Sequence, residues 1–349
     1  MSQPLVSIMI PNFNHSHFLD TCIQSALNQT YPNIEIVVLD NVSTDSSVAI
    51  ARKYTSQGVR VCRNSYNIMN KSYKELASRA LTSGTFMMLL CADDYISDTF
   101  IEKAVAIMQE HPNVGYVHGE RNFVTPGGDI LELDPFFNCS FVAPGINTMP
   151  IYMVTTIAHP SQAVFRREVY DQTGGYDMPI DHMNADRALW FYMSAISDYA
   201  YIREKMSYIR IGEQTETIIT QANFQHPIFC HLTVKEFVRF AKQNDLPDVY
   251  AREQEALIIL AREFVGYAAG MLWNGDFEKA KVYLNYSRVV NREIENTEEY
   301  KGVHHMWQSR DVDRSLIKTI SQVNHKKKRS YRPPAGHQEI ETELLQCQR

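Results

Sequence analysis

Short apolar runs alternate with amphipathic segments through the first hundred residues, and this alternation constrains the fold more than any other feature. Residues 5–10 form an apolar run that stops at a polar loop, and apolar residues then recur at helical spacing from Leu19 to Leu27. Residues 34–39 form a second apolar run, which ends at the polar segment 40–45. A repeated strand, loop and helix is typical of a parallel sheet with right-handed crossovers. We therefore predict an α/β fold with a mostly parallel sheet flanked by helices.

Two adjacent aspartates, Asp93 and Asp94, follow the densest apolar run, residues 85–92. A continuous apolar run indicates a buried strand, and its end delivers side chains to the rim of the sheet. Two carboxylates there are costly unless a positive group meets them, and hard divalent cations prefer carboxylate oxygen. The alternative is that Asp93 caps the next helix and Asp94 is solvated. Ligands of parallel sheets bind outside the carboxyl ends of the strands, where segments 11–14 and 40–45 also lie.

Several of these segments resemble family 2 glycosyltransferases. Residues 10–14 are similar to the family's P-x-Y/F-N loop, and residues 27–40 to its helix and strand ending Q-T-Y-P-x-x-E-I-I-V-V-D. Residues 43–45 resemble its D-x-S-x-D loop, and residues 90–94 its acidic metal motif. The resemblance implies a GT-A-type, Rossmann-like fold over roughly residues 4–215. It also implies sugar transfer from a nucleoside-diphosphate-sugar, a UDP-sugar above all, to an acceptor hydroxyl with inversion, in surface glycan or polysaccharide synthesis.

The resemblance also implies which residues contact the donor, with Mn²⁺ or Mg²⁺ as cofactor. Asp40 would accept a hydrogen bond from the base, and Asp93 and Asp94 would serve the metal and the ribose. The other nucleotide-sugar contacts implied are Pro11, Asn12, Asn14, Ser43 and Asn67. Cys91 stands where the family's motif has its first acid, and a thiol is a poor ligand for either metal. Metal binding is then either weaker than in relatives or left to Asp93 and Asp94.

Two other assignments are open to a second interpretation. Arg210 lies in a segment similar to a Y-R-x-H-like stretch of the family and is suited to pairing with phosphate. It is equally well explained as a surface arginine on an edge strand. Asn67 and Arg63 lie near the family's N-x-G segment, but Met69 stands where the glycine is expected. A surface loop is the alternative for both.

A general base is needed if the anomeric centre is inverted, because the acceptor hydroxyl must lose its proton as the new bond forms. Residues 184–191 resemble the family's E-D-x-x-L-W segment, and its second acid, the family's proposed base, aligns with Asp186. Ala185 replaces the first acid. The helix dipole would stabilise the Asp186 charge at a helix start, so the alternative is an N-terminal helix acid. Asp177 and Asp181 are the weaker candidates for the base.

Length and charge restrict the remaining possibilities. A chain of 349 residues with 44% hydrophobic residues predicts a sizeable core and about two domains. We place the catalytic domain at 1–220, a helical region at 221–323 and a polar, flexible tail at 324–349. A net charge of −6 argues against nucleic acid as a partner. The six cysteines are scattered, the N-terminus leads directly into a strand, and no apolar run predicts a membrane span, which together indicate a cytoplasmic protein.

Helical periodicity marks segments 228–242, 249–272 and 277–290. These helices are suited to packing on the catalytic domain, to forming a homodimer interface or to holding the acceptor. The basic cluster 325–329 is suited to contact with anionic lipid at the inner face of a membrane, which would fit a glycan or lipid-linked acceptor. The alternative is a solvated, disordered tail.

Two other function classes deserve comparison. A nucleotidyltransferase would carry a glycine-rich, basic loop after the first strand, and residues 11–14 contain neither glycine nor lysine. A non-enzymatic binding or scaffold protein on a degenerate transferase frame is the other possibility. It is supported by the departures at Cys91, Ala185 and Met69.

Overall fold

A computed structural model describes residues 3–68, 71–177, 185–212, 224–325 and 331–345. The chain divides into two compact units. The first comprises residues 1–149, 156–213 and 329–349, and the second comprises residues 150–155 and 214–328.

One sheet runs through the first unit. Its eleven strands, among the described residues, are β1 (Val6–Asn12), β2 (Ile34–Asp40), β3 (Arg60–Arg63), β4 (Phe86–Leu89), β5 (Tyr95–Ile96), β6 (Val114–Val124), β7 (Ile130–Leu131), β8 (Phe141–Ala143), β9 (Ala163–Arg166), β10 (Asp198–Arg210) and β11 (Gln338–Glu339). They lie in the order β11-β8-β10-β6-β9-β4-β1-β2-β3, with β5 on β10 and β7 on β6.

The sheet is parallel where the first four main strands meet and mixed elsewhere. β1 lies between β2 and β4 and is parallel to both, and β3 is parallel to β2. β9 enters antiparallel between β4 and β6, and β6 pairs antiparallel with β7. Because parallel neighbours end at the same edge, the loops after β1, β2 and β4 share one rim. This arrangement positions the candidate site.

The helices follow the predicted apolar spacing. In chain order they are α1 (Leu19–Leu27), α2 (Ser47–Arg52), α3 (Lys71–Ala77), α4 (Phe100–Glu110), α5 (Met149–Val154), α6 (Arg167–Gln172), α7 (Ala185–Ser194), α8 (Gln225–Gln243), α9 (Pro247–Tyr250), α10 (Glu253–Trp273), α11 (Phe277–Val290), α12 (Glu298–Ser309) and α13 (Arg314–His325). The buried faces of α1 and α4 join the core with the side chains of β1 and β4. β4 is buried along its whole length, as its continuous apolar run predicted.

The C-terminal tail differs from the prediction of a flexible polar segment. β11 pairs antiparallel with β8 at the edge of the sheet, and Tyr331 donates its N–H to the carbonyl of Phe136 at 2.9 Å. Ile340, Leu344 and Leu345 pack against the core of the first unit. These apolar residues are too few to show periodicity in the sequence. Together with the pairing of β11 and β8, they attach residues 331–345 to the edge of the sheet.

The second unit is built from most of α5 and from helices α8 to α13. Within the described residues, Pro247–Trp273 is one helical stretch that meets the length and composition of a membrane span, which corrects the expectation that no run would do so. Half of its most apolar window is buried inside the protein, and Phe264, Val265 and Ala268 are fully buried. Core helices meet the same criterion, and α10 packs on α11 in this manner.

Candidate active site

Asn12 connects the ends of the first two strands. β1 and β2 pair in a register that places Asn12 beside Asp40, each as the last residue of its strand. The Asn12 Nδ2 donates to Asp40 Oδ1 at 2.9 Å and to Ser43 Oγ at 3.1 Å. The Asn12 Oδ1 is buried without a hydrogen-bond partner among the described residues. An orphaned acceptor of this kind is costly unless a ligand or water donates to it.

Asp40 is committed to the protein rather than open to a ligand. Its side chain is 1% exposed, and Oδ2 accepts the backbone N–H of Ser43 at 3.0 Å. The Arg63 Nε lies 3.2 Å from the same oxygen, and an Arg63 Nη2 donates to the carbonyl of Ser43 at 3.1 Å. Asp40 therefore shapes the loop after β2 and compensates the charge of Arg63.

The loop after β1 is held against the loop after β2. Asn14 takes a left-handed backbone, with φ of 56°, which an asparagine tolerates better than most residues. Its Oδ1 accepts the N–H of Thr44 at 2.8 Å, and its own N–H donates to Ser43 Oγ at 3.0 Å. Pro11 is partly exposed at the end of β1, opposite Leu39. These contacts bring the predicted residues of the first two loops together.

Asn67 joins the same rim through Asn41. The Asn41 Nδ2 donates to Asn67 Oδ1 at 2.6 Å, while Asn41 Oδ1 accepts from Asn64 Nδ2 at 3.1 Å and from the N–H of Ile68 at 2.9 Å. Asn41 is buried, whereas Asn67 is exposed. The third loop therefore lies on the second through an asparagine that the sequence did not single out.

The two aspartates after β4 have different surroundings. Asp94 is 2% exposed, and its oxygens accept from Ser161 Oγ at 2.6 Å and from the N–H of Arg210 at 2.8 Å. Burial, and then the neighbouring Asp93 charge, raise the pKa of the Asp94 carboxyl well above its ordinary value, although Ser161 and Arg210 oppose the shift. Asp93 is partly exposed. Hard divalent cations prefer carboxylate oxygen as a ligand. The partly exposed Asp93, beside the buried carboxyl of Asp94, fits such a cation.

Asp186 lies in the first turn of α7, as predicted. Burial raises its pKa to about 6, and this effect outweighs the backbone hydrogen bonds and the charges of Arg187 and Arg121, which lower it. Burial above all, and then the neighbouring Tyr170 and Asp186, raise the pKa of the Tyr176 phenol well above its ordinary value.

Comparison with known proteins relates part of this chain to a known family. Residues 7–174 match the family described as "Glycosyl transferase family 2". Over 231 residues the chain is 24% identical to the hyaluronan synthase of Pasteurella multocida, and this stretch covers 64% of this chain and 22% of that relative. Residues 7–174 are therefore similar to the family 2 glycosyltransferases.

Solved structures that resemble this chain confirm the predicted GT-A-type α/β fold. S. aureus TarS 1–349 in complex with UDP-GlcNAc superposes with a TM-score of 0.57 at 16% identity, over 92% of this chain and 91% of that chain. The mannosyltransferase PcManGT from Pyrobaculum calidifontis, in complex with GDP-Man and Mn²⁺, gives 0.51 at 14% identity, over 94% and 89%. The likeness to both extends through the helical C-terminal region.

Cys91, the departure of this chain from the family's acidic motif, lies beside Asp94 and His159. One donor atom from each lies within 4.8 Å of the others, and His159 Nδ1 is 3.4 Å from Asp94 Oδ2. Burial, followed by the charge of Arg121, lowers the pKa of His159 to about 3, so the imidazole is neutral near pH 7. Sulfur and imidazole nitrogen suit softer ions than magnesium.

Arg210 is held by the protein at the same rim. Its Nε donates to the carbonyl of Asp93 at 3.0 Å and its Nη1 to that of Thr125 at 2.8 Å, while the guanidinium lies 4.2 Å from the centre of the Phe18 ring. These contacts fix the loop after β4. They leave fewer donors for a phosphate than the sequence alone implied.

Sequence reasoning missed the residues that support the aspartates. Ser161 and His159 lie in the segment before β9, where the family resemblance drew attention to the strand and not to the turn. Pro160, between these two residues, and Gln162, after Ser161, were the available signals of a capped turn. Both hydrogen bonds of that cap, to the His159 side chain and to the Gln162 side chain, are present. Of the weaker base candidates, the Asp177 side chain and all of Asp181 lie outside the described residues.

Proposed function

We propose that this chain transfers a sugar from a nucleoside-diphosphate-sugar, a UDP-sugar above all, to an acceptor hydroxyl with inversion. The supporting observation is the common rim where the loops after β1, β2 and β4 meet, with the buried Asp94 and the partly exposed Asp93 after β4. Hyaluronan synthase and the UDP-GlcNAc complex of TarS are consistent with a role in surface glycan or polysaccharide synthesis.

The polar loops are suited to the nucleotide. The unsatisfied Asn12 Oδ1 and the neighbouring loop groups of Pro11, Asn14, Ser43 and Asn67 would surround the base and ribose. Asp40 would act by holding this wall in place, because its own oxygens are already hydrogen-bonded. Arg210 would act in the same supporting way, by fixing the backbone of Asp93.

A divalent ion fits this rim, and Asp93 would hold it, with Asp94 behind it. Mn²⁺ is the ion named for the mannosyltransferase neighbour, and Mn²⁺ or Mg²⁺ is proposed here. Such an ion neutralises the charge that develops on the departing diphosphate. Ser161 and the N–H of Arg210 keep the Asp94 carboxylate oriented whether or not the ion is bound.

Asp186 is proposed as the general base. The acceptor oxygen attacks the anomeric carbon while the bond from that carbon to the diphosphate oxygen breaks, and the hydroxyl proton passes to the carboxylate of Asp186. A pKa of about 6 leaves this carboxylate ionised at pH 7 yet basic enough to accept a proton. Arg121 and Arg187 limit the upward shift.

The acceptor side of the proposal is less specific. A glycan or lipid-linked acceptor, contact with the inner face of a membrane and a homodimer through the C-terminal helices are proposals drawn from the sequence. The proposals of a lipid-linked acceptor and of membrane contact depend on the basic cluster 325–329, which lies almost wholly outside the described residues.

A donor panel tests the proposal. Thermal unfolding would be followed with UDP-, GDP- and TDP-sugars, each with Mn²⁺ and with EDTA. We expect a UDP-sugar to raise the melting temperature most, and only with the metal. If no nucleotide sugar raises it under any condition, the proposal is wrong.

Replacing Asp186 with asparagine tests the chemistry separately. We expect Asp186→Asn to lower kcat by about 10²-fold to 10⁴-fold, because the proton acceptor is lost, while the Kd for UDP is kept. Glu168→Gln, an exposed acid in the first turn of α6, is the matched control and should retain full turnover. Donor binding without turnover in the unmodified protein, over many acceptors, would favour the scaffold alternative.

A further inference from the structure

The edge of the sheet farthest from β3 carries a second group of potential ligands. Cys139 precedes β8, His337 precedes β11, and Glu339 lies in β11. One donor atom from each of the three lies within 4.8 Å of the others. The thiol comes from the body of the first unit, and the imidazole and carboxylate come from the C-terminal tail.

Backbone pairing sets this arrangement. Gln338 lies opposite Val142 and Glu339 opposite Phe141, and Ile340 donates its N–H to the carbonyl of Ser140 at 3.1 Å. The strand register therefore places Glu339 beside the residues that precede β8. Residues nearly 200 positions apart in sequence are brought together by an ordinary antiparallel pair.

His337 has a ring nitrogen prepared for a ligand. Its Nδ1 lies 3.0 Å from the carbonyl oxygen of Pro334, and a carbonyl can only accept, so Nδ1 carries the hydrogen. Neutral imidazole then has its lone pair on Nε2. Metal-binding histidines are commonly oriented by a bond of this kind from the other nitrogen to a backbone carbonyl.

The charge at this edge also favours a cation. Burial, and then the Glu339 carboxylate, raise the pKa of the Cys139 thiol, whereas Arg203 lowers it. The Glu339 carboxylate supplies a negative charge that a divalent ion would meet, and binding would release the thiol proton to solvent.

We propose that Cys139, His337 and Glu339 form a binding site for a zinc-class divalent cation that fastens the C-terminal tail to the sheet edge. Sulfur, imidazole nitrogen and carboxylate oxygen together suit Zn²⁺ and not Mg²⁺ or Mn²⁺. Three protein ligands leave a fourth, open position, which the exposure of His337 and Glu339 makes accessible to water. This site is separate from the aspartates after β4 and independent of the proposed sugar transfer.

Binding would bring the three ligand atoms closer together. Zinc bond lengths put the ligand atoms of a tetrahedral site roughly 3.2–3.8 Å apart. Here the ligand atoms lie within 4.8 Å of one another, and the exposed Glu339 side chain would rotate toward the ion while the Nδ1 bond to Pro334 keeps the His337 ring oriented. Other contacts hold the C-terminal tail in place without the ion. For example, Asn147 Nδ2 donates to the carbonyl of Ala335 at 2.8 Å.

Zinc titration of the full chain tests the site. The protein would be stripped with a chelator, kept reduced and titrated with Zn²⁺ against a chromophoric chelator. We expect Cys139→Ser, His337→Gln and Glu339→Gln each to weaken one zinc equivalent by about tenfold or more. Cys62→Ser, a partly exposed cysteine elsewhere in the sheet, should bind as the unmodified protein does. Cys91→Ser shows how much zinc binds at the cluster with Asp94 and His159.

Hydrogen exchange provides the second measurement. Zinc should slow exchange of the amides of residues 338–340 in the unmodified protein and in Cys91→Ser, but not in Cys139→Ser or His337→Gln. Thermal unfolding without zinc would show that the variants fold. Absence of zinc binding, unchanged binding in all three ligand variants, or equal slowing in Cys139→Ser would each overturn the proposal.

Discussion

At the scale of single residues, burial decides what the acidic side chains can do. Asp186 lies at a helix start, where backbone N–H groups lower a carboxylate pKa, yet desolvation is the larger effect and the pKa rises to about 6. The sequence led us to expect that the helix start would stabilise the Asp186 charge, and its backbone N–H groups do lower the pKa. Burial raises the pKa by more, so the net shift is upward.

The pH profile of catalysis follows from this value. If Asp186 is the base, kcat/KM should fall about tenfold per pH unit below pH 6 and level off above it, because the protonated acid cannot accept the hydroxyl proton. The residual activity of Asp186→Asn should lack this acid limb. Steady-state rates in buffers of constant ionic strength are the measurement, and a limb near pH 6 that persists in the variant would assign it to another group.

Asp93 and Asp94 should respond differently to substitution. We expect Asp93→Asn to weaken Mn²⁺-dependent UDP binding about tenfold or more, because the exposed metal ligand is lost. Asp94→Asn should mainly lower the melting temperature, because the buried carboxylate organises Ser161 and the N–H of Arg210. Calorimetric titration of UDP with and without Mn²⁺ measures the first effect.

Asp98→Asn is the control for this pair, since Asp98 is exposed on the segment that follows. It should change neither quantity. Equal loss of metal-dependent binding in Asp93→Asn and Asp94→Asn would show that both aspartates hold the ion directly.

At the scale of elements, one exposed carboxylate ties two loops of the rim. Asp45 accepts the N–H of Ser16 at 2.9 Å and the N–H of Ser47 at 2.9 Å, so it joins the segment before α1 to the start of α2. Burial is the largest single effect and opposes its ionisation, but the hydrogen bonds from Ser47 and Ser16 together prevail and lower its pKa to about 2. Ser16 itself does not cap α1, whose N-cap is Phe18.

Asp45→Asn should therefore lower the free energy of unfolding by about 1 kcal/mol at neutral pH. The folded pKa lies below the unfolded one, so the stabilisation is present above about pH 4 and is lost as the pH falls toward 2. Urea unfolding at several pH values measures it. Glu110→Gln, an exposed acid at the end of α4, should cost little, and a difference for Asp45→Asn that is unchanged at low pH would contradict the argument.

At the scale of the whole molecule, each compact unit is formed by segments that are far apart in sequence. The first unit takes its last strand, β11, from residues that follow the second unit in sequence. The stretch that matches the hyaluronan synthase covers 22% of the length of that relative.

Ending the chain after residue 330 should destabilise the first unit. The deletion removes β11 and the apolar contacts of Ile340, Leu344 and Leu345, which we expect to cost about 2 kcal/mol or more. Thermal unfolding with residue-level hydrogen exchange at β8 measures this. Ending the chain after residue 345 is the control, and equal stability of both truncations would show that the tail contributes nothing.

The amino-acid sequence by itself determined the elements and their order. Apolar periodicity placed β1, α1 and β2 within a few residues, because burial of one face is a local pattern repeated along the chain. The same patterning, with the family resemblance, located Asp93, Asp94 and Asp186 at element ends. The C-terminal helices followed from their period in the same way.

Only the tertiary structure decided which of these groups meet. The ion pair of Asp40 with Arg63, the burial of Asp94 under Ser161 and the attachment of residues 331–345 to β8 join distant stretches of chain. No local periodicity encodes such pairings, because they depend on strand order and register across the whole sheet. The pKa of a side chain depends on the same long-range surroundings, so the chemistry of the site became visible only with the fold.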